Sequence, residues 1–256
     1  MPLISIVTPV YDGGHEYLVD AYESLRTQTL PRGWEWEWIV QEDGPGHPAS
    51  LLPTDDRISI SAGRKGGAAM ARSTAMARVR GDLVRALDAD DLLPAGALSR
   101  AITTLTEQRH VAWCVSACLD LLPDGSLRPG PHDPPAGSLA EDVMLTGYKT
   151  GHFPVVGTTL TAYTNLVRAV GGWPAVPASE DVALLLLCEA VSHGWMIDEP
   201  GAIYRKHPAQ ATAQIAHWDP GERAALDDLL LPRLEALRSL RWTWKPTQPL
   251  AQEGPS

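Results

Sequence analysis

Three carboxylates, Asp88, Asp90 and Asp91, crowd into four residues at the end of an apolar run, residues 83–87. Side chains that close repel one another unless a cation or hydrogen-bond donors neutralise them. Oxygen ligands of this kind suit a hard divalent ion, Mg²⁺ or Mn²⁺, which usually also holds substrate phosphates. The plainer reading is a solvated acidic turn ahead of a helix that begins near Pro94. A second acidic pair, Glu180-Asp181, follows Ser179 at the start of a very apolar segment. Such a pair either caps a helix, with Ser179 as the cap, or supplies a general base. Cations that could meet a phosphate stand in two places: Arg64, Lys65 and Arg72 around the glycines of residues 63–67, and Arg205-Lys206-His207. The 63–67 segment is neither a Walker loop nor a dinucleotide fingerprint. Its glycines either permit close packing or present backbone donors to an anion.

The elements that must position these groups alternate between strand and helix. Residues 3–7 read as a strand buried on both faces, followed by a turn at 11–14 and a helix over 16–28. Residues 34–40 form a second strand that ends at Glu42-Asp43-Gly44. Its Trp34, Trp36 and Trp38 share one face, where core packing and a sugar platform are the two readings. A third strand at 58–60, an Ala-rich helix up to Arg80 and the strand 83–87 follow. Arg85 is the one interruption of that last strand. The alternation argues an α/β fold with a doubly wound, mostly parallel sheet flanked by helices. In such sheets ligands bind beyond the carboxyl ends of the strands, where Asp43 and the Asp88 cluster both lie.

Beyond Pro94 the pattern predicts a helix to about Arg109 and a strand over 111–122. A surface loop rich in Pro and Gly follows at 128–137, and the division between two halves falls near there. A strand at 157–161, a helix to Val170, the turn Gly171-Gly172-Trp173-Pro174 and an apolar helix after Ser179 come next. Short segments at 195–197 and 203–207 precede a leucine-rich amphipathic helix from Glu222, which Pro232 is expected to break. The polar residues from about Pro246 read as a disordered tail.

Composition narrows the function classes. A chain of 256 residues can bury a sizeable core, and 44% hydrophobic with 20% charged residues is ordinary for a globular protein. The net charge of −10 makes nucleic acid or an anionic membrane a poor default partner. Cys114, Cys118 and Cys188 have no zinc-like spacing and suit burial in a reducing compartment. The amino terminus runs straight into structure with no basic leader, and the longest apolar run, 182–188, is too short to span a bilayer. A cytoplasmic protein without a membrane span is the expectation.

Read in order, these pieces resemble glycosyltransferase family 2, the inverting, nucleotide-sugar-dependent enzymes of the GT-A fold. Residues 5–12, Ser-Ile-Val-Thr-Pro-Val-Tyr-Asp, are similar to the family's opening strand, where Asn is commoner than Asp12. Residues 38–44 look like its second strand, with Glu42 where Asp is usual. Residues 66–73 resemble a helix start normally written Ala-Arg-Asn, with Ser73 in place of Asn. Leu87 to Asp91 matches the family's Asp-X-Asp metal motif. Gly171-Gly172-Trp173, Glu180-Asp181 and Tyr204 to Pro208 fall in the expected order, so the likeness covers residues 3–212.

The resemblance implies a 1–218 GT-A domain, about 1–110 for the nucleotide sugar and 111–218 for the acceptor, and a helical extension over 219–256. It implies Mg²⁺ or Mn²⁺ on Asp90 and Asp91, helped by His207. The nucleoside diphosphate sugar would lie against Pro9, Tyr11, Asp12, Asp43, Arg64, Gly67, Arg72, Asp88, Asp90, Arg205 and His207. Asp88 or Asp90 would share the ribose rather than the metal. Asp181, with Glu180 beside it, would be the base, and Gly172 and Trp173 would meet an unidentified hydroxyl acceptor, a small molecule or a glycan. The extension's leucines imply packing on the acceptor half or a homodimer. Two other classes compete: a sugar-1-phosphate nucleotidyltransferase and a non-catalytic carbohydrate-binding module built on the tryptophans.

Overall fold

The computed structural model describes residues 1–11, 14–45, 51–130, 133–176, 178–210 and 220–246. Asp12 and the tail beyond Lys245-Pro246 therefore lie outside the described residues. Among the described residues nine strands form one sheet: β1 Leu3–Val10, β2 Glu35–Glu42, β3 Ile58–Ala62, β4 Leu83–Ala86, β5 Val111–Leu121, β6 Leu127–Pro129, β7 Gly137–Ser138, β8 Thr161–Tyr163 and β9 His193–Arg205. The described residues also form seven α-helices: α1 Leu18–Arg26, α2 Gly67–Ala75, α3 Ala97–Glu107, α4 Val143–Thr150, α5 Thr164–Ala169, α6 Glu180–Val191 and α7 Pro220–Ser239.

The strand order is β3-β2-β1-β4-β8-β5-β9-β7, with β6 beside β5. β3, β2, β1 and β4 are mutually parallel. β8 is antiparallel to both β4 and β5, so β5 again runs with β4, and β9 runs with β5. Six strands thus point one way, and their carboxyl ends share one edge of the sheet. That edge receives Tyr11 from β1, Asp43 from β2, the Asp88–Asp91 segment from β4 and Arg205 from β9.

Burial explains why the central strands read as continuous apolar runs. β1 is covered on both faces along nearly its whole length. Trp36 and Trp38 are core residues, and Trp34 packs against the same cluster. Trp38 donates its indole N–H to the Thr8 hydroxyl at 2.8 Å. No tryptophan platform stands on this strand. Glu37, also buried, accepts from the Ser5 hydroxyl at 2.6 Å and from Arg80 Nε at 2.7 Å.

Four expectations change. Residues 157–159 form a 3-10 turn rather than a strand, closed by the Thr159 hydroxyl on the Val156 carbonyl, and the strand begins at Thr161. The two segments expected near 195 and 203 are one strand, β9. Register shifts opposite Ser116–Cys118 let it carry Pro200 and Gly201 without leaving the sheet. Within the expected loop, β6 and β7 pair at either end, while residues 131–132 lie outside the described residues. Finally, α7 runs through Pro232. An interior proline costs a helix about 3 kcal/mol or more, but Leu226, Leu230 and Leu234 keep a buried stripe on both sides of it.

Candidate active site

The turn after β4 places Asp88, Asp90 and Asp91 at the shared strand edge. An antiparallel bridge between Leu92 and Ile203, with N···O distances of 2.9 and 3.0 Å, ties the turn's far end to β9. Ser24 of α1 and Gln28, just past its end, brace the next stretch, donating to or accepting from the backbone of Leu93, Pro94 and Leu98. The cluster is therefore built on fixed backbone, not on a loose acidic turn.

Its carboxylates are not equivalent. Asp91 is fully buried, and its Oδ1 accepts from the Arg205 backbone N–H at 3.1 Å. Its Oδ2 is buried with no hydrogen-bond partner among the described residues. Burial pushes its pKa well above the usual carboxylate range, Asp88 and Asp90 push it further, and the Arg205 N–H and Thr158 hydroxyl pull partly back. Asp90 is raised for the same first two reasons, burial and the neighbouring Asp88. Asp90 Oδ2 lies 2.8 Å from His207 Nε2. Tyr11, at the end of β1, is pushed up to about 12 by burial and by Asp90, and its buried hydroxyl has no partner among the described residues.

Among the described residues no three such side chains converge into a complete coordination shell. Asp90 and His207 do converge, and Asp91 adds a buried, underpaired carboxylate beside them. Two or three protein ligands, mostly oxygen, suit an ion that takes its remaining ligands from a diphosphate and water. The residues present fit Mg²⁺ or Mn²⁺.

Cations reach the cluster from two sides. Arg205 donates Nε to the Asp90 carbonyl at 3.0 Å and Nη2 to Asp20 at 2.9 Å, and its guanidinium lies 4.9 Å over the Tyr17 ring. Arg72, buried in α2, forks between two carboxylates: Nη2 pairs with Asp88 and Nη1 with Glu180. Through Arg72 the start of α6 is joined to the end of β4.

At that start, Ser179 holds a left-handed backbone conformation at φ 60° and makes no side-chain cap bond. A non-glycine residue there is uncommon and marks local strain. The capping reading for Ser179 is therefore not what the structure builds. Glu180 is buried and occupied by Arg72. Asp181 is half-buried, accepts only locally from the Val182 N–H at 2.8 Å, and has no ion pair among the described residues. Gly157 packs directly against its carboxylate. The next residue, Thr158, accepts from the Asp88 N–H at 3.3 Å.

Other expected site residues lie elsewhere or do other work. The Asp43 carboxylate accepts from the Gly66 and Gly67 N–H groups at 2.6 and 2.9 Å. It thus closes the amino end of α2 and occupies the Gly66 and Gly67 donors. Arg64 is exposed on that segment, and Pro9 lies inside β1. Trp173 is 3% exposed, with its carbonyl taken by the Ser73 hydroxyl at 2.8 Å. Its ring belongs to the main core and is not an exposed platform; Gly172 beside it turns the chain at φ 73°.

Sequence reasoning missed Glu42 and His15, whose Oε1 and Nε2 lie 2.7 Å apart. Glu42 is buried at the end of β2, and its Oε2 has no partner among the described residues. Its place ahead of Asp43 was the available signal. Gly157 and Thr158 carried none, since nothing in residues 128–160 announces a site.

A sequence model described as Glycosyl transferase family 2 matches residues 5–121. The chain is 28% identical over 232 residues to the O-antigen biosynthesis protein RfbC of Myxococcus xanthus, a match covering 88% of this chain and 17% of that protein. It is 30% identical over 113 residues to the putative teichuronic acid biosynthesis glycosyltransferase TuaG of Bacillus subtilis (strain 168), covering 42% of this chain and 43% of that one. The chain thus spans less than half the length of either relative. Among solved structures, S. aureus TarS 1–349 in complex with UDP-GlcNAc superimposes with a TM-score of 0.68 at 15% identity, over 94% of this chain and 71% of TarS 1–349. TarS 1–349 without that ligand gives 0.62 at 17% identity, over 80% and 60%.

Proposed function

We propose that this chain, whose residues 5–121 match the family 2 glycosyl transferase model and whose fold is that of TarS, is a glycosyltransferase of that family that transfers a sugar, with inversion, from a uridine diphosphate donor to a hydroxyl of a glycan acceptor. The observation that carries this reading is the Arg72 fork. It joins the acidic end of β4 directly to the Glu180-Asp181 start of α6. The uridine donor follows the UDP-GlcNAc bound to TarS, and the glycan acceptor follows the O-antigen and teichuronic acid named for the relatives.

Asp181 removes the proton from the acceptor hydroxyl as that oxygen attacks the anomeric carbon, while the bond from that carbon to the diphosphate oxygen breaks. A base acting alone on one face is what single-displacement inversion needs. The transition state is oxocarbenium-like, as in glycoside hydrolysis. Asp90, Asp91 and His207 would hold Mg²⁺ or Mn²⁺, which when bound supplies positive charge against the departing diphosphate. Arg72 and Arg205 border the same place and add fixed positive charge where negative charge develops. Glu42, the buried last residue of β2, keeps one carboxylate oxygen without a partner among the described residues, and it would accept an N–H from the uracil ring.

Thermal shift with UDP, GDP, CDP and ADP, each with and without Mn²⁺, tests the donor reading, because a ligand raises stability by mass action. UDP with Mn²⁺ is expected to give the largest rise. Asp91→Asn is expected to weaken Mn²⁺-dependent UDP binding at least tenfold while the apo protein melts no lower, since it removes one of several mutually repelling carboxylates. Unchanged UDP affinity in that variant, with and without Mn²⁺, refutes the metal assignment.

A further inference from the structure

Arg85 is the one charged side chain within β4, and it is buried to 1% exposure. No carboxylate pairs with it among the described residues; its partners are neutral oxygens. Nη1 donates to the Thr159 carbonyl at 3.3 Å and the Thr161 hydroxyl at 2.9 Å, and Nη2 donates to the Gly201 carbonyl at 2.6 Å. Its Nε–H is buried without a partner among the described residues. Burial brings its pKa down to about 10, so it stays charged at neutral pH. A buried, unpaired charge is costly, and an apolar residue of similar size would fill a strand interior at lower cost.

What the fork holds accounts for keeping it. Thr159 closes the 3-10 turn whose Gly157 packs against the Asp181 carboxylate and whose Thr158 hydroxyl accepts from the Asp88 N–H. Gly201 lies four residues before Arg205, whose backbone N–H bonds Asp91. Of these three segments, β4 leads to the acidic cluster, the turn touches Asp88 and Asp181 together, and β9 delivers Arg205. A guanidinium is planar and presents its donors in a fixed geometry, so it sets distances as well as supplying bonds.

We propose that Arg85 is a positioning residue for glycosyl transfer, fixing the span between the donor-side carboxylates and Asp181 by clamping the 157–159 turn to β4 and β9. The inference rests on Asp181 being the base. The donor carboxylates are also braced by α1 and by the Leu92–Ile203 bridge, whereas Gly157 reaches Asp181 only through the turn. Loss of the fork therefore moves the base relative to the donor more than it disturbs donor binding, and a displacement of about 1 Å can lower a rate a hundredfold.

The test is turnover of UDP-GlcNAc, with water or a glycan as acceptor, by Arg85→Met, Arg85→Lys and Asp181→Asn. Rates are normalised to sites counted by UDP titration, well below each melting temperature. Arg85→Met is expected to lose ten- to a hundredfold in kcat per UDP-binding site, with the donor KM within about threefold of the parent. Arg85→Lys, which keeps the charge but cannot fork, is expected to lose at least fivefold in kcat. A kcat per site within twofold of the parent in Arg85→Met overturns the proposal, as does a change confined to KM; Arg85 is then only a core residue. If Arg85→Met does not fold, Arg85→Lys decides alone, and full kcat in it overturns the proposal. Failure of Asp181→Asn to lose activity refutes the base assignment itself, whereas loss in Asp181→Asn with full kcat in the Arg85 variants refutes only the positioning role.

Discussion

Gly157 lies against Asp181 so closely that a β-carbon built on it would stand 2.6 Å from Asp181 Cγ and overlap the carboxylate. Its φ needs no glycine, so the requirement is for space alone. Gly157→Ala should therefore fold but push Asp181 or the first turn of α6 away from the 157–159 turn. We expect transfer to fall about ten- to a hundredfold with UDP affinity held. Near-normal transfer in the variant would mean that the position of Asp181 does not govern the reaction.

Asp181 and Glu180 are adjacent, yet only Glu180 is locked to Arg72. Asp181→Asn keeps size and shape but removes basicity, so transfer should fall roughly a hundred- to ten-thousandfold. Its stability should change little, because a first-turn acid gains about 0.3–1 kcal/mol from the helix dipole. Glu180→Gln should show the opposite pattern: a smaller rate loss, and a fall of about 1–3 kcal/mol in stability as Arg72 loses a charged acceptor. If the larger rate loss falls on Glu180→Gln, the base is Glu180.

The parts of the site visible in the sequence were those where chemistry and chain break coincide. The Asp88–Asp91 cluster announces itself because a buried strand stops at three like charges. Glu180-Asp181 was visible as a pair but ambiguous, since caps and bases share residue types. Only the fold, by bringing Arg72 between them, makes the two clusters one site. Asp43 shows the converse: its position at a strand end suggested a ligand contact, and its carboxylate is spent on the Gly66 and Gly67 N–H groups. Long-range packing hid the rest. Nothing local distinguishes Gly157 or Thr158, and Arg85 looked like a blemish in a strand. The continuity of α7 through Pro232 was likewise decided by leucine burial, which a local breaker rule does not weigh.

Asp55, ahead of β3, carries a pH dependence of its own. Its carboxylate takes two hydrogen bonds from the Arg57 guanidinium, at 2.9 and 2.7 Å, and one from the Tyr22 hydroxyl at 2.9 Å. The Arg57 side chain is the largest cause holding the Asp55 pKa far below the carboxylate range, and burial opposes it. A depressed folded-state pKa means that the unfolded chain binds the proton first. The stabilisation is therefore complete above the unfolded value of about 4 and lost as pH falls below it. Asp55→Asn should lower stability by about 1–3 kcal/mol at pH 7. That difference from the parent should shrink at pH 3, read by denaturant unfolding at both values. A gap that is constant with pH would show that Asp55 acts through packing and neutral hydrogen bonds only.

α7 answers where the leucine-rich extension buries its apolar face. Leu226, Leu230 and Leu234, four residues apart, are at most 4% exposed and join the main core. Around them Tyr148 of α4 donates to Asp227 at 2.7 Å, Arg223 donates to the Tyr148 carbonyl at 2.9 Å, and Arg233 reaches the Val170 carbonyl at the end of α5. Past the helix, the Trp244 N–H meets the Val191 carbonyl at the end of α6, at 2.7 Å. α7 thus braces the half that carries Asp181, while Leu229 on its outer side is 58% exposed. Leu230→Ala should cost about 2–5 kcal/mol, worth roughly 2–4 °C of melting temperature per kcal/mol in a chain of this size. Leu229→Ala should stay within about 0.5 kcal/mol. Should Leu229→Ala prove the more damaging, with stability that depends on protein concentration, the outer face of α7 would be a subunit interface in addition to the inner contact described here.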